Sequence, residues 1–313
     1  MSINKLFYSL IIGLLVNYSA ISFAQDTSNT TVGELEEIVV TAQRREQNIS
    51  DVSQAVQALS GDDLDELNIT NFEEMITLIP GAIQNSTISH GSNVYSIRGV
   101  AASETDGDAT VGYYLDNFAF SIPGRPYAPV TDLYDTERVE VLRGPSGTLY
   151  GLGSLGGTIK VITKDPVIGE FEGAFKATVS EIDDGDSSYT GDLVINAPIS
   201  DNAAIRAVLS IKDIGGWAEI IPSDQTDGNP YEALTGRLKL LVEPNEKTSV
   251  KFTYWRQDSE QEYANRLTYP SPPAIDNVFG ETFSDYTIYI LDVAYDLGFA
   301  MLESTTGYME NTV

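Results

Sequence analysis

RVEVLRGPSGTLYGLGSLGGTIKVITKD, residues 138–165, is the stretch that decides the predicted fold. Val139 with Val141, and Ile159 with Val161, alternate with polar neighbours, which is the period of half-buried β-strands. The connection between these strands is rich in glycine, which predicts several residues with positive φ and backbones that pass close together. A phosphate-binding loop is disfavoured, because no Gly-Lys-Ser/Thr ends the run and no helical pattern follows it. We therefore predict a tight structural turn.

The order of motifs in this stretch resembles the plug domain of TonB-dependent outer-membrane receptors. The family's E-R-V-E-V-L-R-G-P strand is matched at 137–145, and G-T-L-Y-G, L-G-G-T-I and I-T-K-x-P follow at 147–151, 155–159 and 162–166. The sequence departs from the pattern at 152–154, where Leu-Gly-Ser replaces the Arg or Ala followed by Asn of many relatives. The resemblance implies a mixed α/β plug domain followed by antiparallel transmembrane β-strands of an incomplete, ~22-stranded barrel.

Composition excludes several classes of function. The 313 residues include 46 acidic and 18 basic side chains, and the formal charge of −28 argues against nucleic-acid binding, which needs clustered Lys and Arg. The absence of cysteine excludes disulfides, thiolate metal sites and a Cys nucleophile. His90 is a single histidine and cannot form a metal cluster. A hydrolase would need a focused carboxylate pair, whereas acidic runs such as 183–186 are typical of solvated loops. We expect no enzyme, no cofactor and no metal site.

The N-terminus has the layout of a secretory signal peptide over residues 1–24. Lys5 precedes an apolar run at 6–16, and the small residues Ser22 and Ala24 come just before Gln25. A membrane anchor is the alternative, but the run is shorter than the ~20 apolar residues that a spanning helix needs. We predict an exported chain that begins near Gln25.

Residues 25–48, which we call the leader, contain a run of β-branched residues that favours an extended strand. A mobile strand of this kind can add itself to the sheet edge of a partner. The run resembles the TonB box, which the energy-transducing protein TonB binds in this family. The resemblance assigns TonB binding to Ile38, Val39, Val40, Thr41 and Ala42.

Residues 49–166 are the predicted plug domain. We expect short helices over 50–79, with a capping box formed by Thr70 and Glu73 and a stop at Pro80-Gly81. Strands are expected at 94–99 and 111–118. One helical face is predicted to enter the core, and it carries Phe72, Met75, Ile76 and Ile79.

Two plug arginines receive a role from the resemblance alone. Arg98 and Arg143 occupy motif positions whose arginines face acidic residues on the barrel wall in relatives. The resemblance therefore implies that they form an ionic latch between plug and barrel.

Residues 167–313 are predicted to form roughly seven amphipathic strands of 9–11 residues, the length that crosses a bilayer when tilted. Short connections alternate with long ones, as in outer-membrane barrels, although a soluble β-sandwich would share the strand pattern. Trp217, Tyr254 and Trp255 lie near strand ends, where an aromatic girdle is expected, with simple packing as the alternative for each of them. Seven strands cannot close around a plug, so we expect a truncated barrel and a sequence that is part of a longer protein. The predicted strands lie near 170–180, 188–199, 203–212, 232–243, 248–257, 284–297 and 300–310.

The resemblance implies active uptake across the outer membrane of a Gram-negative bacterium, by a monomer embedded in outer-membrane lipid and gated by its plug. A ferric siderophore is the expected ligand, with cobalamin, other metal chelates, glycans or plant-derived aromatics as alternatives. A passive porin or surface adhesin would share the signal peptide and the strands, but needs neither a plug nor a docking strand ahead of it. The sequence does not predict the ligand-binding residues.

Overall fold

The computed structural model describes most of the chain after the first half of the leader. The predicted signal peptide lies outside the described residues, as do Ile38, Ala42 and His90. The described ranges are 39–41, 43–45, 47–87, 93–102, 107–121, 124–129, 131–151, 153–183, 185–220, 225–262, 274–275 and 282–312.

The leader and the plug contain nine short strands and three short helices within the described residues. None of these helices exceeds six residues, and among the described helices none is long and apolar enough to cross a membrane. In chain order the elements are β1 (Val39–Val40), β2 (Gln47–Asn48), a 3-10 turn (Ile49–Asp51), β3 (Ala55–Ser60), α1 (Gly61–Glu66), α2 (Phe72–Ile76), β4 (Ala82–Thr87), β5 (Asn93–Ile97), β6 (Val111–Leu115), β7 (Phe118–Ala119), β8 (Thr136–Arg143), α3 (Gly147–Tyr150) and β9 (Gly157–Thr163).

The plug is built on a five-stranded sheet with the order β3-β8-β9-β6-β7. The quoted stretch supplies its centre, because β8 pairs antiparallel with β9 and β9 pairs parallel with β6. Strands β4 and β5 form a separate pair. Val139, Val141, Ile159 and Val161 are at most 1% exposed, which confirms the two predicted strands. The strands are not half-buried as predicted, because Glu140 and Lys160 on the opposite face are also buried.

The turn between β8 and β9 is structural, as predicted. Gly144, Gly151 and Gly153 have φ of 109°, 71° and 85°, which non-glycine residues rarely adopt. The strand β9 follows the glycines, as expected, and the helix α3 makes a single turn inside the connection.

Two predictions for the segment 50–79 were wrong. Its first part is the strand β3, which pairs with β8 from Ala55 opposite Arg143 to Ser60 opposite Arg138, so long-range pairing outweighs local helix preference. The capping residue of α2 is Asn71, whose side chain accepts from the Glu74 backbone N–H at 2.9 Å. The carboxylate of Glu74 in turn accepts from the Thr70 N–H at 2.8 Å. The predicted apolar residues Phe72, Met75 and Ile76 of α2 are buried, as is Ile79 just after the helix.

The rest of the chain forms mainly one antiparallel sheet, with a separate sheet of three short strands beside it in the chain. The seven long strands of the main sheet pair in the order β10 (Glu172–Glu181), β11 (Ser187–Ser200), β12 (Ala203–Ile214), β15 (Tyr231–Asn245), β16 (Thr248–Gln261), β19 (Asp285–Asp296) and β20 (Met301–Thr312). These strands have 10 to 15 residues, so several are longer than the predicted 9–11 residues that suffice to cross a bilayer. Within the described residues β10 and β20 are the free edges, and the sheet does not close. The shorter strands are β13 (Ala218–Ile220), β14 (Gln225–Gly228), β17 (Ala274–Ile275) and β18 (Thr282–Phe283).

In this sheet the polar face is buried and the apolar face is exposed, which is the reverse of a soluble protein. On β15, for example, Arg237 and Lys239 are 4% and 1% exposed. Leu234 and Leu238 lie on the other face of the same strand and are 38% and 37% exposed. The polar face is buried against the plug, and the apolar face points outward. We call the plug-facing side of β12, β15 and β16 the inner wall.

The plug and the sheet share one hydrophobic core. Ile288 and Ile290 of β19 pack with plug residues, and the rings of Phe120 and Tyr286 meet edge-on at 4.9 Å between centroids. Trp255 is completely buried on the inner wall, under the guanidinium of Arg237. The prediction that Trp255 belongs to an interfacial girdle was therefore wrong, because its position in the β16 alternation directs it inward.

Candidate functional site

The plug is attached to the inner wall through Asp135, which precedes β8. Its carboxylate accepts from Arg206 Nε at 2.8 Å and Arg206 Nη2 at 2.5 Å, a two-pronged geometry that suits a guanidinium. Arg237 Nη2 donates to the same carboxylate at 2.9 Å and to the Asp135 carbonyl at 2.8 Å. All three side chains are only 3% exposed. One plug carboxylate therefore joins β12 and β15.

The local backbone explains how Asp135 reaches the wall. Asp135 has φ of 57°, in the left-handed region that Asp tolerates better than most residues. Its carbonyl also accepts from the Lys164 N–H at 3.2 Å, which closes the entry to β8 against the end of β9. This turn projects the carboxylate away from the plug sheet.

A second set of ion pairs lies nearer the short turn between β15 and β16. Lys239 Nζ contacts Asp116 at 3.1 Å and Asp165 at 2.7 Å, and Lys251 Nζ contacts Asp165 at 2.8 Å. Burial alone would raise the pKa of Asp116, but Lys239, Lys251 and the Thr163 N–H outweigh it and lower the pKa to about 2. Asp116 is therefore ionised throughout the neutral range.

A third pair lies toward the long connections. Lys212 Nζ is 2.8 Å from Asp132, which also accepts from the Ser210 hydroxyl at 3.0 Å. Burial would raise the pKa of Asp132, but Lys212 and these hydrogen bonds lower it overall. Beside this pair, a cavity of about 740 Å³ separates α2 from the wall and is lined by Phe72, Tyr95 and other residues of both parts.

The sequence alone does not predict these ion pairs, because their partners lie far apart in the chain. Asp135 is 71 residues from Arg206 and 102 from Arg237. One feature of the sequence does point to them: the chain is strongly acidic, yet basic residues recur on one face of successive strands. Such a face is expected to lie opposite carboxylates. The basic residues are Arg206, Lys212, Arg237, Lys239 and Lys251.

The structure brings the two predicted latch arginines together near the Pro80-Gly81 turn. Arg143 Nη1 donates to the Pro80 carbonyl at 3.3 Å, and the exposed Arg98 donates its backbone N–H to the Gly81 carbonyl at 2.7 Å. Neither arginine forms an ion pair in the part of the chain that the structure describes. Their pairing with barrel carboxylates stays a prediction, and the observed ion pairs have the reverse polarity, with plug acids and wall bases.

The leader strand β1 is docked on the plug. Val40 is completely buried in a cluster with Tyr114, Leu142 and Tyr150, while Val39 remains 43% exposed. Strand β1 also pairs with β2, so the described part of the leader doubles back as a small hairpin. Arg44 lies over the Tyr114 and Tyr150 rings, at 5.2 and 4.9 Å from their centroids.

Thr41 adds polar contacts to this docking. Its backbone N–H donates to Glu140 Oε1 at 2.8 Å, and its hydroxyl accepts from Lys160 Nζ at 2.7 Å. Glu140 and Lys160 are 0% and 4% exposed. Burial lowers the pKa of Lys160, and the nearby Glu140 and Asp116 carboxylates oppose that shift.

The central part of the chain matches a known domain. Residues 48–158 match the family model described as TonB-dependent Receptor Plug Domain. The chain therefore contains the plug domain of a TonB-dependent receptor. The long antiparallel strands that follow the plug resemble the barrel of such receptors.

Curated relatives agree with this assignment. The pesticin receptor of Yersinia enterocolitica is 28% identical over 249 residues, which cover 79% of this chain and 35% of the relative. The vitamin B12 transporter BtuB of Vibrio vulnificus is 26% identical, over 74% of this chain and 36% of the relative. These relatives are receptors and transporters rather than enzymes. The chain spans about a third of their length.

Solved structures show the same fold. The crystal structure of the ferric yersiniabactin uptake receptor FyuA from Yersinia pestis superposes with a TM-score of 0.72 at 18% identity. The match covers 84% of this chain and 41% of that chain. At this identity the likeness concerns the fold, and the ion pairs described above belong to the present sequence.

Proposed function

We propose that the protein is a TonB-dependent receptor for active uptake of a scarce ligand across the outer membrane of a Gram-negative bacterium. One observation carries the proposal: a β-branched strand ahead of the plug is docked on it, while the plug itself is fixed to the inner wall by buried ion pairs. A passive pore would need no such strand. Export by a signal peptide over residues 1–24 and a monomeric state are parts of the same proposal.

The docked strand is suited to the role of TonB box. Val39 is exposed, and β1 pairs only with the two residues of β2 within the described region, so the segment offers backbone groups to another strand. In the proposed cycle, ligand arrival outside favours release of residues 38–42 from the plug. TonB then binds them in the periplasm and pulls, which moves part of the plug. No bond in the ligand changes.

A ferric siderophore is the proposed ligand, since the relatives include two receptors named for ferric pyoverdines. Cobalamin is the second candidate, because a vitamin B12 transporter is a comparable match at 26% identity. Glycans and aromatic compounds have no such support among these relatives.

The test is a gene deletion in the host that carries this sequence. The deleted strain is grown on iron-limited medium with single ferric siderophores, and a cobalamin auxotroph is grown on limiting cobalamin. We expect growth on at least one siderophore to be lost and restored by the native gene. Loss of growth on cobalamin alone would replace the siderophore with the second candidate.

The same strain is then complemented with a gene that lacks codons 38–42. We expect the ligand to bind the cells while its uptake is abolished. Uptake that continues without these residues, or that persists after the proton-motive force is dissipated, would contradict a TonB-dependent mechanism and favour a passive porin.

A further inference from the structure

Thr41 is held between an acid on one plug strand and a base on the next. Glu140 lies on β8 and accepts from both the N–H and the hydroxyl of Thr41, at 2.8 and 3.2 Å. Lys160 lies on β9 and donates to the same hydroxyl at 2.7 Å. The hydroxyl of Thr41 therefore lies between the buried Glu140 carboxylate and the buried Lys160 ammonium.

Glu140 and Lys160 are direct partners in the β8–β9 register. Side chains at such positions project from the same face with their Cβ atoms about 5 Å apart, which is within reach of an ion pair. In the docked state Lys160 instead donates to Thr41 and to Asn117 Oδ1, and the described part of the chain contains no ion pair between Lys160 and Glu140. Glu140 pairs with Arg138 at 2.9 Å.

We propose that Thr41 and Glu140 compete for Lys160, so that the leader docks by separating this cross-strand pair and undocks as the pair closes. Glu140 and Lys160 are thus positioning residues that set how long the leader stays on the plug. The inference rests on the proposed function only for the identity of the docked strand as the segment that TonB binds.

The exchange gives the Lys160 ammonium a hydrogen-bond acceptor in both states, with Thr41 and Asn117 accepting from it when the leader is docked. When Thr41 leaves, Lys160 gains Glu140, so undocking does not require a bare ammonium on the plug surface. The preference for docking then comes from the apolar contacts of Val40 with Tyr114, Leu142 and Tyr150. Two states of similar free energy are what a ligand or partner can shift with a modest difference in affinity.

A single introduced thiol can measure docking, because the native chain contains no cysteine. Val40→Cys reports on the leader and Val94→Cys, 1% exposed on β5, reports on the plug interior. Labelling by a membrane-permeant maleimide is followed in outer membranes of a host strain that lacks TonB, so the result does not depend on TonB binding. In the Val40→Cys background, Thr41→Val removes the hydroxyl and Thr41→Ser keeps it.

We expect Thr41→Val to raise the labelling rate at position 40 about tenfold, since it removes a hydrogen bond to a charged group from the docked state only. Thr41→Ser should label like the native leader, and labelling at position 94 should stay unchanged in both. Equal rates for the Val and Ser variants, or a parallel rise at position 94, would overturn the proposal.

The competition itself is tested by adding Lys160→Met. The undocked state then loses the pair with Glu140, so the Thr41→Val, Lys160→Met double variant should label more slowly than Thr41→Val alone. A simple additive contact predicts the reverse or no change, and either result would refute the exchange while leaving the proposed uptake function to its own test.

Discussion

Asp135 shows how one residue joins the two parts of this protein. Its carboxylate lies between the guanidinium groups of Arg206 and Arg237, and all three groups are removed from water. Such a cluster is a weak source of net stability, because desolvation offsets much of the Coulombic attraction. The cluster instead fixes the geometry: once the plug and the wall are together, removing Asp135 leaves Arg237 without its carboxylate and leaves Arg206 with only the half-exposed Glu172. The cluster therefore fixes where the plug sits.

At this scale the first prediction concerns Asp135→Asn. Asparagine keeps the size of the side chain and tolerates the left-handed backbone at φ 57°, so the variant removes only the charge. We expect the free energy of unfolding to fall by about 3–5 kcal/mol, since the buried Arg237 loses its carboxylate and Arg206 keeps only its pair with the half-exposed Glu172. Urea unfolding followed by Trp255 fluorescence measures the change.

The matched control is Asp258→Asn, which breaks an ion pair with Arg256 in which both side chains are exposed. That loss should cost less than about 1 kcal/mol, as exposed pairs usually do. A similar small effect for both variants would show that the Asp135 cluster does not hold the plug.

Among the elements, those that sequence could predict are the ones whose pattern is local. Strands β8 and β9 carry their alternation in seven or eight residues, and the long strands repeat it with polar and apolar faces. Strand β3 could not be predicted in this way, because its extended state depends on pairing with β8 some eighty positions later. The same reason hides the site: Asp135 and Asp116 find their partners only when β12 and β15 are aligned.

The element-scale prediction concerns the start of β9. A Cβ on Gly157 would come within 2.4 Å of the Leu142 carbonyl oxygen and 2.8 Å of Ile97 Cδ1, so backbone and core both obstruct it. We expect Gly157→Ala to lower the free energy of unfolding of the plug by about 1–3 kcal/mol, the usual cost of overpacking.

Gly147 provides the comparison, because it is helical, in α3, and no atom lies within 4 Å of an added Cβ. Gly147→Ala should be neutral or gain about 0.5 kcal/mol through the unfolded chain. Urea unfolding of both variants separates the two cases, and an unchanged Gly157→Ala protein would mean that the close approach of β8 and β9 is not required.

Across the whole molecule, charged side chains lie inside and apolar side chains lie outside, which is the reverse of a soluble protein. Charges meet inside, between the plug and the inner wall, while leucine, phenylalanine and tyrosine side chains cover the outer face of the sheet. In water this arrangement would expose a large apolar surface. In a bilayer, the outward apolar side chains face acyl chains and the backbone groups are satisfied between strands.

The last prediction follows from that arrangement and uses the midpoint of β15. Leu238 points outward between Arg237 and Lys239, which point inward, so the same strand already carries cations on its other face. Leu238→Arg would place a cation at the centre of the apolar band and should cost about 2–4 kcal/mol.

Leu234→Arg makes the identical chemical change some 13 Å along the strand, nearer the band's edge, where about 0–1 kcal/mol is expected. The yield of protein integrated into host outer membranes should therefore fall sharply for position 238 and little for position 234. Equal yields would place the outer face in water and remove the physical basis for a membrane barrel.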